Sequence, residues 1–188
     1  MSAVFTPHRR KISADQFERM GQTGILGPDA RVELIEGELI EMAPIGSRHA
    51  AAVSFLSAHF VRAVGDAALV WTQNPLRLAD DSEPQPDLML LRPKADHYRS
   101  AHPRPEDVLL LIEVADTTLV FDRETKLPLY AKQGVPEVWI LDLDAKRLEI
   151  YREPTAGGYR RKLERTEAES IAPTALPTVA LQVGALFA

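Results

Sequence analysis

Two carboxylates lie inside apolar runs of this chain, Asp87 in PDLMLL and Glu113 in VLLLIEVA. An ionised carboxylate in such a run costs several kcal/mol or more unless a cation, a donor or water meets it. A lysine, Lys126, follows Glu113 at the start of the next predicted helix. Two strand-borne acids and a lysine are the parts of a divalent-metal hydrolase site. Oxygen ligands suit Mg²⁺ or Mn²⁺, which keep several waters and take phosphate oxygens as further ligands. Such an ion polarises a phosphodiester and lowers the pKa of a water, while a lysine beside it steadies developing charge. An ordinary buried ion pair between Glu113 and Lys126 explains the same residues without any chemistry. Spacing alone leaves both readings open.

The elements that must position these groups follow from local pattern. Residues 108–114 form a nearly continuous apolar run, which predicts a strand covered on both faces. Pro84 and Pro86 cannot donate to a sheet ladder, so the PDLMLL strand effectively begins at Asp87, placing that acid at a strand entrance near solvent. The helix after Glu113 contains Pro128, and proline is tolerated in a first turn. That predicts a cap near Glu124 or Thr125, with Lys126 in the first turn. Gly134 and Pro136 end the helix. EVWILDL is a second buried strand, and turns at Asp144-Ala145 and Gly157-Gly158 predict an antiparallel meander.

Upstream, residues before Ile12 read as a frayed arm. Ser13 and Gln16 form a capping-box pattern for a short helix. RVELIEGELIEM predicts a hairpin turning at Glu36-Gly37 and pairing Leu34 with Leu39 and Glu33 with Ile40. Ser47 is the expected cap of a helix whose stripe is Val53, Leu56, Phe60 and Val64, closed by Gly65. His49 lies on that stripe, where a histidine is more often a core residue than a functional one. ALVWTQNPLRL predicts an edge or bulged strand because of Pro75. The polar loop over residues 94–107 is the expected flap over a site, and LPTVALQVGALFA adds a last strand and a closing segment.

Bulk properties bound the function classes. With 45% hydrophobic and 26% charged residues among 188, the chain suits one globular domain over 1–188, with an N-terminal helix and loop at 12–30. The expected fold class is α/β or α+β, with a mixed sheet between helices. No apolar run spans a bilayer, and the expected compartment is the cytoplasm. Absent cysteine excludes thiolate metal sites and cysteine nucleophiles. A net charge of −5 weighs against a strong sequence-independent grip on nucleic acid, though bound divalent ions offset carboxylates. Two small basic clusters, Arg99, His102 and Arg104, and Arg160, Arg161, Lys162 and Arg165, read as solvated loop and strand faces.

Pro86-Asp87, the acid in IEV at Glu113 and a downstream lysine resemble the PD-(D/E)xK nuclease superfamily. ELIEGELIEMAP, QPDLML and LLLIEVADTTLVFDRETKLPLYAKQGVPEVWILD are similar to the bacterial restriction-endonuclease family often labelled Uma, from about residue 31 to the last meander strand. The resemblance implies a restriction-endonuclease-like core over about 31–183, with Asp87 and Glu113 as metal ligands and Mg²⁺ or Mn²⁺ as cofactor. It implies phosphodiester hydrolysis, DNA more than RNA as substrate, and a homodimer by analogy with nucleases that cut two strands. The superfamily's usual lysine position is Ala115 here, and in the narrower family the lysine has moved to the following helix, matching Lys126. Glu33 and His49 match supporting positions, and Asp122 is either a helix-entry acid or an i,i+4 partner of Lys126. The competing expectation is a non-catalytic module in which a nuclease fold binds nucleic acid or protein.

Overall fold

The structure, a computed structural model, describes residues 10–27 and 29–187. The arm expected before Ile12 lies mostly outside them. Helix α1 (Ala14–Gln22) opens on the predicted capping box, with the Ser13 hydroxyl accepting from the Gln16 N–H and the Gln16 side chain accepting from the Ser13 N–H. Strands β1 (Val32–Ile35) and β2 (Glu38–Glu41) form the expected hairpin in the expected register. Gly37 adopts φ 81° at its turn, which any side chain would strain. Helix α2 (Ser47–Val64) buries Val53, Leu56, Phe60 and Val64. Its cap differs from expectation: Gly46 precedes the helix and Ser47 is its first residue, so no side chain caps it.

Strands β3 (Leu69–Thr72), β4 (Leu88–Leu91) and β5 (Val108–Ala115) follow. Strand β3 stops before Pro75, and the left-handed Gln73 at φ 49° turns the chain out of the sheet. One helical stretch, α3 (Leu119–Phe121), a π turn (Asp122–Lys126) and α4 (Leu127–Lys132), leads to β6 (Glu137–Asp142). The meander β7 (Arg147–Thr155) and β8 (Gly158–Thr166) then completes a six-stranded sheet in the order β3-β4-β5-β6-β7-β8. Only β5 and β6 run parallel, joined by the helical crossover. Short strands β9 (Ser170–Ile171) and β10 (Leu181–Gln182) pair with each other, so the tail strand does not extend the main sheet.

The fold is thus a mixed α/β sheet flanked by helices, with apolar residues packed on both faces. Ile112, Val114, Trp139 and Leu141 face α2, while Leu111, Ala115, Val138 and Ile140 face Tyr130 and Leu129 of α4. Strict alternation along β5 therefore sends Glu113 to the α4 face.

The crossover helix begins well before the predicted cap. Pro128 lacks an N–H, and its ring would press on the carbonyl four residues earlier. The chain meets this with a π turn rather than a fresh helix start: the Leu127 N–H bonds to the Asp122 carbonyl, five residues back. The widened turn buries Asp122 and Lys126 together. Loop 94–107 is also not a flap over the acids. Tyr98 anchors it, donating its hydroxyl to the Arg92 carbonyl at 2.8 Å and packing its ring near Trp71. It faces α1 across a separate cavity.

Candidate active site

Strand register brings the two acids together. Leu88 pairs with Ile112 in the antiparallel β4–β5 ladder, so one step further Asp87 stands opposite Glu113. The Asp87 Oδ2 accepts the Val114 N–H at 2.8 Å, which fixes the carboxylate at the mouth of β5. Its Oδ1 meets His49 Nε2 at 2.8 Å and Gln73 Nε2 at 3.4 Å. Asp87 is only 8% exposed, so it is less open than its place at a strand entrance suggested. The hairpin, α2 and the crossover close over it.

Glu113 is buried beneath the crossover helix. Tyr130 donates its hydroxyl to Glu113 Oε1 at 2.6 Å, and Lys126 Nζ lies 3.3 Å from the same oxygen. Lys126 makes its shorter contact, 2.9 Å, to Glu33 Oε1, which also accepts the Gln85 N–H at 2.8 Å. Asp122 accepts from the Thr118 hydroxyl at 2.6 Å, held at the helix entrance as one of the two sequence readings expected. Arg123 turns the other way and clamps the π turn to Glu149 on β7 through two bonds of 2.9 Å.

These side chains line a cavity of about 400 Å³, with Glu33, His49, Asp87, Glu113, Asp122 and Lys126 on its polar side. Glu33, Asp87, Glu113 and Asp122 surround Lys126 and His49, and Glu41, Asp116 and Arg31 also line the cavity. Burial pushes the Glu113 carboxyl up to about 8, against the pull of Lys126, and the neighbouring Asp122, Asp87 and Glu33 push it further up. Burial likewise raises Asp122. For Lys126 burial is the largest single influence and acts downward, yet Glu113, Glu33 and Asp122 together outweigh it and hold the ammonium protonated. His49 is raised by its hydrogen bond to Asp87.

A stability prediction follows from Glu113. Its folded value of about 8 exceeds the ordinary 4.5, so the native state holds this proton more tightly than the unfolded chain does. The stabilisation is complete below about pH 4.5 and is lost as pH rises toward 8. Thermal melts without divalent ions should show Tm falling across that window, and Glu113→Gln, which stays neutral, should flatten the fall. An equally steep fall in the variant would place the titrating proton elsewhere.

All six residues singled out by sequence meet at this cavity. Tyr130, which bonds Glu113, is not among the residues the sequence singled out. Its position four residues after Lys126, on the same helical stripe, was the available signal. The larger cavity, about 690 Å³, lies between α1 and loop 94–107, with Glu18, Arg77, Glu83, Arg99, His102 and Arg104 in its wall.

The sheet order and the crossover helix make a mixed α/β core whose likeness among solved structures is a nuclease fold. Over 94% of its length the chain superposes on 97% of a putative nuclease belonging to DUF820 from Anabaena variabilis, with a TM-score of 0.71 and 17% sequence identity. At that identity the likeness speaks for the fold alone. Residues 14–184 match the Uma2 family, described as “putative restriction endonuclease”, and the chain belongs to that family. No curated protein matches the sequence.

Proposed function

We propose that the chain is a metal-dependent phosphodiesterase, an endonuclease acting on DNA in preference to RNA, with Asp87 and Glu113 as metal ligands. The observation that carries this reading is the register placing Asp87 opposite Glu113 on one sheet face, with Lys126 3.3 Å from the latter. The donor set fits Mg²⁺ or Mn²⁺. Both acids offer hard oxygens, and the cavity's carboxylates exceed its cations. Two protein carboxylates would leave the remaining positions to water and phosphate oxygens. That is how Mg²⁺ is usually held. Held by Asp87 and Glu113, such an ion would supply Lewis-acid polarisation of a phosphodiester and lower the pKa of a water.

The chain's own residues do the positioning. Tyr130 orients Glu113 through Oε1, leaving Oε2 without a hydrogen-bond donor among the described residues. The Val114 N–H and His49 each hold one oxygen of Asp87. Glu33, itself fixed by the Gln85 N–H, aims the Lys126 ammonium. Because Lys126 stays protonated, it serves as an electrostatic stabiliser of the pentavalent phosphate and not as a base. Two chains acting together are the assembly this function would use on two strands. Among the described residues no helix is long and apolar enough to cross a membrane.

Incubation with plasmid, linear DNA and RNA in Mg²⁺ or Mn²⁺ tests the reading. DNA cleavage that EDTA abolishes is expected. Absence of cleavage with every ion and substrate would favour a non-catalytic module, in which Glu113–Lys126 is only a structural ion pair.

Asp87→Asn separates ion binding from scaffold. The amide can still accept the Val114 N–H, so baseline Tm should drop little, by the equivalent of about 1 kcal/mol. The rise in Tm that Mn²⁺ gives wild type by binding the native state should mostly vanish. A rise of undiminished size in the variant would remove Asp87 from the ligand set.

A further inference from the structure

We infer that the chain carries a second divalent-metal site, remote from Asp87 and Glu113, formed by Glu18, Glu83 and His102 and selective for a zinc-class ion. Ligand atoms of these three side chains all lie within 4.8 Å of one another, and among the described residues no other His/Asp/Glu trio does so. Each comes from a different part of the chain: Glu18 from α1, Glu83 from the segment leading into β4, and His102 from loop 94–107. They meet at the wall of the 690 Å³ cavity, which gives an ion an entry path and room for water as a further ligand.

Arg77 pairs with both acids, 3.0 Å from Glu83 Oε2 and 3.6 Å from Glu18 Oε1, and Arg99 and Arg104 also line the cavity, so an ion binds here in competition with the guanidinium and on the strength of the ligand geometry. Each glutamate has one oxygen facing Arg77, Oε2 of Glu83 and Oε1 of Glu18. The His102 ring has no hydrogen-bond partner among the described residues, so binding an ion breaks nothing there.

The ligand types choose the metal. An imidazole nitrogen beside two carboxylates suits Zn²⁺, whereas Mg²⁺ prefers an all-oxygen shell with several waters. Three protein ligands with an open position facing a cavity match a zinc centre that retains water. Such an ion would tie loop 94–107 to α1 and to the strand that carries Asp87, bracing the scaffold without touching the acids of the other cavity. The inference stands whether or not the chain cleaves nucleic acid.

The test is calorimetric titration of ZnCl₂ into the full chain carrying Asp87→Asn, which weakens the other cavity as a ligand. One saturable equivalent is expected. Adding His102→Ala should weaken it at least tenfold, and adding Glu18→Gln should do the same. Both substitutions are at partly exposed positions, so the variants should fold. With Co²⁺ as probe, the visible absorption should change when His102 is replaced, a signature that loss of a merely structural histidine would not give. Zinc binding of unchanged stoichiometry and affinity in the His102→Ala and Glu18→Gln variants would overturn the site. So would the absence of any saturable zinc binding in the Asp87→Asn chain.

Discussion

Lys126→Ala should cut the cleavage rate per folded molecule by roughly two orders of magnitude or more, the scale of losing one electrostatic stabiliser. Lys126 is 5% exposed, and its ammonium is shared between Glu33 at 2.9 Å and Glu113 at 3.3 Å. Removing one partner of a buried pair typically costs about 3–5 kcal/mol. Stability should therefore fall as well, by less than that range, because Glu113 is already inclined to take up a proton. Two readouts separate the roles. Mn²⁺ should raise Tm more in the variant than in wild type, since the ion replaces a missing positive charge among the same carboxylates. Adding Ala115→Lys returns an ammonium to the face that carries Glu113 and should recover part of the activity. A large stability loss with the rate per folded molecule unchanged would return Lys126 to the scaffold.

Local pattern carried much of this architecture. The apolar run of β5, the two prolines before Asp87 and the glycine at the hairpin turn each constrain the backbone within a few residues. The β1–β2 register and the start of β4 were therefore legible. So was the convergence of Asp87 and Glu113, which needs only that β4 and β5 be neighbours. Glu33 and His49 were marked by resemblance, and their contacts with Lys126 and Asp87 give them a physical place beside the acids.

What was not legible depends on packing between distant segments. A proline inside a helical pattern has two solutions, a new helix start or a widened turn. The choice here rests on Arg123 reaching Glu149 and on Lys126 reaching Glu33, partners far away in sequence. Loop 94–107 looked free because its residues are polar. Tyr98, bonded to the Arg92 carbonyl, and the bond from the Arg77 N–H to the Pro103 carbonyl hold it in place. The basic cluster of Arg99, His102 and Arg104 lines a cavity there with Glu18 and Glu83, which no spacing rule connects.

The most direct measurement compares wild type with Glu113→Gln in Mn²⁺-dependent DNA cleavage, at equal concentrations of folded protein. The substitution preserves shape, and the amide oxygen can still accept the Tyr130 hydroxyl that now lies 2.6 Å from Glu113. It removes only the capacity to ionise, and with it a charged oxygen ligand. Folded protein by circular dichroism, a melting temperature at neutral pH no lower than wild type, and cleavage reduced to background are expected. Cleavage by Glu113→Gln at the wild-type rate would contradict the reading of Glu113 as a metal ligand.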